Sequence, residues 1–277
     1  MPTVGELSAL YGNFMFGPRP GPGVCRICFN LTDGWDRCYA CAHGGRELDI
    51  VAPISYSVAG EQLHHALAGY KRARASVAGE FALGLAAVLW RWLHTHEQCV
   101  ARAAGVSSFP VITTVPSADR RRGDSHPLRA IVAGLVGPSR ERYRRVLERS
   151  PIEVEMHVFD PRRYVAVEQL AGEPVLLIDD TWTTGANAQS AAAALKAAGA
   201  GPVAAVVVGR HINRGWRDNG ERLRALPSPF EWDRCTLCGH EPSLDAAHTA
   251  IHPALSATTP RAPVASSPRR SRAGPTS

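Results

Sequence analysis

Long unbroken apolar runs are missing from this sequence. No stretch reaches the roughly eighteen apolar residues that a bilayer-crossing helix needs. The N-terminus also lacks the basic, apolar and small-residue succession of a secretory signal, so the expectation is a soluble, cytoplasmic chain with no membrane insertion. The GxGxxG fingerprint of a dinucleotide fold is absent, as is the lysine that a P-loop requires, which sets two common nucleotide-binding designs aside. Acidic and aromatic side chains are absent from residues 256–277, SATTPRAPVASSPRRSRAGPTS, which reads as a disordered basic tail. That tail holds Arg261, Arg269, Arg270 and Arg272, while the formal net charge of the whole chain is +6. The remainder is near balance, and charge alone does not argue for a nucleic-acid partner. No internal repeat is visible.

What is present suits one α/β domain with appendages: 277 residues, 45% of them hydrophobic. Seven cysteines occur, six of them in three CxxC pairs, a pattern that fits metal binding in a reducing compartment better than a disulfide framework. Cys25, Cys28, Cys38 and Cys41 form two knuckles separated by a short loop, the spacing of a closed four-thiolate zinc site with a structural role. His43 lies just beyond and reads as an ordinary polar neighbour. Cys235 and Cys238 make a third pair, half a zinc complement. Three completions stay open for it: a second site using a histidine such as His240 or His248, an exchange of ligands with the N-terminal knuckles, or a free dithiol. Proximity to the N-terminal module is the preferred arrangement.

The chain is organised around Val175 to Asn187, VLLIDDTWTTGAN. Val175 to Ile178 predict a buried parallel strand, because both faces are apolar. Asp179 and Asp180 follow at its end, then a small hydroxylated turn and the Ala-rich helix from Ala188 to Gly199. Thr183, Thr184, Gly185, Ala186 and Asn187 can present amides and hydroxyls to a phosphate, reinforced by the helix dipole. The carboxylates would repel a bare polyphosphate yet accept hydrogen bonds from a ribose diol, so a ribose 5-phosphate satisfies both. The competing reading is a plain corner in which an aspartate caps the helix.

In chain order, residues 1–20 predict a short helical or irregular arm and 21–48 the cysteine module. Residues 49–226 form the main domain, 227–255 the C-terminal CxxC segment and 256–277 the tail. Within the domain, strands are predicted at Asp49 to Ser57, Phe109 to Pro116, Ile152 to Phe159 and Val203 to Val208. Helices are predicted at Gly60 to Arg72, with Leu63, Leu67 and Tyr70 on one face, and at Val77 to Glu97, with Phe81, Leu85, Val88, Leu89 and Trp92 as core. Two more are predicted at Leu128 to Leu135 and Ser139 to Glu148, and the segment from Arg210 to Leu226 reads as helical or irregular. Arg120, Arg121 and Arg122 lie in a loop after a buried strand, where an open parallel sheet binds its ligands. Their guanidinium groups suit a diphosphate.

The DDTWTTG turn resembles the signature with which type I phosphoribosyltransferases bind 5-phosphoribosyl 1-diphosphate (PRPP). Taken with the four-cysteine knuckle, the helix ending in Tyr70-Lys71 and the Arg-Arg-Arg-Gly loop, the order resembles ComF-like proteins over roughly residues 20 to 210. The resemblance implies a phosphoribosyltransferase-like parallel sheet flanked by helices, with a small N-terminal zinc knuckle. It also implies a PRPP pocket formed by Thr181, Thr183, Thr184, Gly185, Ala186, Asn187, Arg120, Arg121, Arg122 and Lys71. Asp179 and Asp180 would be the catalytic pair, holding the ribose hydroxyls directly or through Mg²⁺. A link to single-stranded DNA or a DNA-processing protein is implied as well, with Lys71, Arg72 and Arg74 as a basic contact. Departures are visible: Asp124-Ser125-His126-Pro127 follows Arg122-Gly123 where the family reads RGFNQ, and Asn187 stands where threonine is commoner. The alternative to an enzyme is therefore a non-catalytic accessory protein that senses a phosphorylated ribose.

Overall fold

The structure is a computed structural model whose described residues are 2–117 and 126–238. The loop carrying Arg120, Arg121 and Arg122, the histidines His240 and His248, and the basic tail lie outside them.

Helix α1 (Val4–Gly12) starts at a capping box in which the Glu6 amide donates to Thr3 Oγ1 and the Thr3 amide to Glu6 Oε2. The cysteine knuckle follows and ends in the short helix α2 (Tyr39–His43). Strand β1 (Ile50–Val58), α3 (Gln62–Arg72), the 29-residue α4 (Ala75–Ala103) and β2 (Val111–Thr114) come next. Beyond them α5 (Pro127–Ala130) runs into a π-helical turn, Ile131–Leu135, and then α6 (Gly137–Arg140). The antiparallel pair β3 (Leu147–Arg149) and β4 (Tyr164–Ala166) precedes β5 (Val175–Trp182), α7 (Ala186–Ala197), β6 (Val203–Ile212) and α8 (Asn219–Arg224).

The main sheet has four strands in the order β1-β6-β5-β2, all parallel. Continuous apolar strands are required because both faces are covered. Alternation divides them cleanly. Ala52, Ile112, Leu176, Ile178, Ala204 and Val206 face a core completed by α1, α3 and α4. Val51, Val111, Val175, Leu177, Val203 and Val207 face a core completed by α7 and the four knuckle cysteines. The predicted helix face of Leu85, Val88, Leu89 and Trp92 is buried in the first of these layers. Helix α4 is the one described helix long and apolar enough to cross a membrane, with mean hydropathy 1.2 over its most apolar window. Its apolar face here packs on the sheet.

Two predicted elements fail. Ser139 to Glu148 is not one helix: α6 stops at Arg140, because the chain turns aside to the free edge of β2. There the Ile112 amide donates to Arg142 O at 3.0 Å and the Arg144 amide to Ile112 O at 2.9 Å. The Arg142 guanidinium grips Glu97 on α4 from the same place. Ile152 to Phe159 alternates like a strand but folds as turn and irregular backbone. Ile152, Met156 and Val158 are exposed, and Arg163 Nη2 donates to the carbonyls of Glu155 and Val158, fixing the segment as an irregular strap. The segment predicted as helical or irregular from Arg210 begins instead as strand, since β6 continues to Ile212.

Candidate functional site

Strand β5 runs four residues past the apolar stretch, because β6 keeps pairing with it through Trp182 opposite Arg210. Asp179 and Asp180 therefore lie within the strand, and the period of two sends them to opposite faces. Asp180 follows Leu176 and Ile178 toward α3. It is 6 % exposed, accepts from Tyr70 Oη and forms an ion pair with Lys71 Nζ. Asp179 follows Val175 and Leu177 toward α7, where its Oδ1 accepts the Asp180 amide at 2.9 Å. Burial, then the neighbouring Asp180 charge, push its carboxyl up to about 7.

Asp179 shares a small hollow with Thr181, Thr183, Thr184, Gly185, Ala186 and Asn187. Gly185 makes the turn possible: its φ is +84°, and a Cβ there would lie 2.1 Å from the buried Trp182 ring. Only glycine takes that conformation without strain. Behind it Ala186, Asn187 and Ala188 in the first turn of α7 line the hollow, and Thr184 Oγ1 accepts the Ala186 amide at 3.3 Å. The same hydroxyl donates to the His157 carbonyl at 3.1 Å, and His157 itself closes the hollow on one side. Strap and helix are tied together by the Asp160 amide donating to Ser190 Oγ at 3.1 Å. The free volume is about 10 Å³, room for one water.

A wider hollow of about 430 Å³ adjoins, walled by Tyr39, His43, Arg46, Phe159, Trp182 and Gln189. The Trp182 Nε1 has no partner among the described residues. Thr113, Thr114, Tyr143 and Arg145 line a third hollow at the carboxyl end of β2.

The four N-terminal cysteines converge as their spacing predicts. Their sulfurs all lie within 4.8 Å of one another, with Cys28 and Cys38 at 3.6 Å. Cys25 and Cys28 are fully buried. Zn–S bonds of about 2.3 Å in a tetrahedron put sulfurs about 3.8 Å apart, so this quartet can hold a metal such as zinc. Hydrogen bonds among the sulfurs divide them: the bond with Cys28 holds the Cys25 thiol low, while bonds with Cys25 push Cys28 and Cys41 up. A tetrahedral cation removes that division by taking a lone pair from each. The knuckle is anchored by Tyr56 Oη donating to Phe29 O at 2.7 Å and by Arg222 donating to the carbonyls of Thr32 and Gly23. Gln189 Oε1 on α7 accepts the amides of Glu47 and Leu48. Arg210, 3 % exposed, donates to Trp182 O and His211 O and acts electrostatically on Cys28.

Cys235 and Cys238 do not join the N-terminal module. Their neighbours are His96 and Cys99 of α4, residues that sequence reasoning treated as part of a core helix or left unassigned. The signal was there in the His-x-x-Cys spacing, which puts both on one helix face. The sequence missed three other contributors as well: Tyr70 as the partner of Asp180, His157 as a wall of the hollow, and Arg210 beneath the knuckle.

The fold and these sites define a protein with a helix-flanked four-stranded parallel sheet and a buried cysteine quartet able to bind metal. In comparison with known proteins, no family model matches the chain and no curated protein matches it significantly.

Proposed function

We propose that the chain is a phosphoribosyltransferase-like protein of ComF type that takes PRPP, or another phosphorylated ribose, at the β5–α7 turn. The observation that carries this reading is that one hollow is lined by Asp179, Thr181, Thr183 and Thr184 together with the Gly185-dependent N-terminal turn of a twelve-residue helix. An acid beside an anion cradle is the combination that a sugar phosphate, and not a bare phosphate, satisfies.

In this reading the amides of Ala186 and Asn187, with the Thr183 and Thr184 hydroxyls, hold the 5-phosphate at the positive end of α7. Asp179 accepts from a ribose hydroxyl, and as the C1–O bond breaks it stabilises the positive charge growing on the ring. Lys71 and Tyr70 fix Asp180, so this second carboxylate buttresses the strand end and is not free to reach the sugar. Arg120, Arg121 and Arg122 receive the departing diphosphate. A divalent cation fits the donor type, since Asp179 offers hard carboxylate oxygens beside the Asp180 charge. Mg²⁺ bound there would offset diphosphate charge. The wider hollow between knuckle and cradle, with Tyr39, Arg46 and Phe159, suits a flat acceptor. Zinc at Cys25, Cys28, Cys38 and Cys41 is structural.

The engagement of Asp180 favours a second reading, a non-catalytic sensor of phosphorylated ribose that serves DNA uptake or processing. Calorimetric titration of PRPP with Mg²⁺, paired with release of labelled diphosphate in the presence of candidate bases, separates the two. Turnover that Asp179→Asn abolishes supports the enzyme, and saturable binding without turnover supports the sensor. Absence of both overturns the proposal.

A further inference from the structure

A long helix and a short loop from the far end of the described chain meet at one point, and the side chains that meet there are all metal ligands. We propose that His96, Cys99, Cys235 and Cys238 form a second zinc site, separate from the N-terminal quartet, that clamps residues 228–238 onto α4. Nδ1 of His96 and the three sulfurs lie within 4.8 Å of one another. Cys235 Sγ is 3.4 Å from Cys238 Sγ, which is 3.9 Å from Cys99 Sγ and 3.7 Å from His96 Nδ1. These separations bracket the edge of a zinc tetrahedron, about 3.8 Å, and are far too long for a disulfide of about 2.05 Å.

The surroundings are those of a ligand set. His96 is 1 % exposed, and its Nε2 lies 2.9 Å from the Trp232 carbonyl. Donation to that oxygen puts the ring proton on Nε2 and leaves the Nδ1 lone pair facing the sulfurs, the outer hydrogen bond that orients a metal-bound histidine. The Cys235 amide points at Cys238 Sγ and the Leu237 amide at Cys235 Sγ, at 3.2 and 3.4 Å. Amide donors of this kind stabilise thiolates. Arg102 and Arg234 act electrostatically on Cys99 and Cys238, offsetting the net negative charge of zinc bound to three thiolates.

Four protein ligands leave no open position, so the site is structural. On binding, the three thiols release their protons to solvent. The clamp has much to hold: the Phe230 amide donates to Gly12 O at 2.8 Å, and Trp232 lies under the Arg91 guanidinium, 4.4 Å from its carbon. His96 and Cys238 are 142 positions apart, so the metal closes a very long loop.

Elemental analysis of the purified full chain tests this. The expected content is about two zinc ions per chain for wild type and about one for Cys99→Ser. Because Cys238 is exposed, a mild chelator should extract the second ion well before the first. Should Cys99→Ser fail to fold, cobalt-substituted His96→Cys decides. It should keep both metals and raise the sulfur-to-cobalt charge-transfer intensity of this site by about one third, as three thiolates become four. One zinc per chain in the wild type, with Cys99, Cys235 and Cys238 all freely alkylated, overturns the proposal, as does a charge-transfer band that His96→Cys leaves unchanged.

Discussion

The N-terminal quartet takes its four cysteines from one knuckle, whereas the second set spans 142 positions and needs the finished fold to exist. The first is buried under the sheet in the same apolar layer as α7, while the second sits at the surface end of α4, with Cys238 exposed. A local metal site shapes the segment that carries it, because the ligands come together at small entropic cost. A distant one fastens elements that other contacts have already positioned. The first should therefore govern whether this part of the chain folds, and the second how tightly its end is held.

The largest expected effect is at the buried quartet. Replacing Cys25 and Cys28 together by serine should remove one metal and cost at least about 5 kcal/mol in urea denaturation, since structural zinc is bound by more than that. An equally large loss on replacing Cys235 and Cys238 would break the contrast. The β5–α7 turn, proposed to bind a ribose phosphate, is local like the first quartet, and Gly185→Ala sharpens the point. A left-handed alanine driven into Trp182 should cost about 3 kcal/mol and abolish phosphate binding, read by thermal melting with and without PRPP.

Next in size is a pH effect. Asp179 keeps its proton up to about 7 in the folded state, against an ordinary 3.8. Its contribution to stability is thus present below 3.8 and lost as pH rises through about 7. In the proposed reading, binding of PRPP with Mg²⁺ needs the carboxylate, so affinity should rise about tenfold between pH 6 and 8, a trend that calorimetry measures and that Asp179→Asn should remove. Smallest is Arg91→Ala. Losing the cation over Trp232 should lower stability by about 1 kcal/mol, and zinc content at the knuckle should not change.

What was legible in the sequence follows the same division. The convergence of the four N-terminal cysteines, the apolar start of β5 and the buried face of α4 are each contained in one contiguous segment, and the structure has all three. The extent of β5 was not legible, because Asp179 to Trp182 look like loop and become strand only through pairing with β6, a contact that local pattern does not carry. For the same reason Asp179 and Asp180 read as a pair at a rim, although alternation within the longer strand separates them. The alternation of Ile152 to Phe159 misled in the other direction: the segment is turn and irregular backbone, held through the Glu155 and Val158 carbonyls by the Arg163 guanidinium, a contact that local pattern does not carry. His96 and Cys99 were hidden by their helix, whose apolar periodicity accounts for it without any ligand role.

Arg210 enters the interior beneath the knuckle with its guanidinium directed at backbone carbonyls and its Nε unpartnered among the described residues. Zinc held by four thiolates carries a net charge of about −2, and a buried cation nearby is its natural counter-ion. With such a metal bound, charge would tie knuckle and sheet to each other: the thiolates would offset the buried arginine, and the arginine the thiolates. Removing either partner would leave the other's charge less offset, which couples the far end of β6 to the first cysteines of the chain.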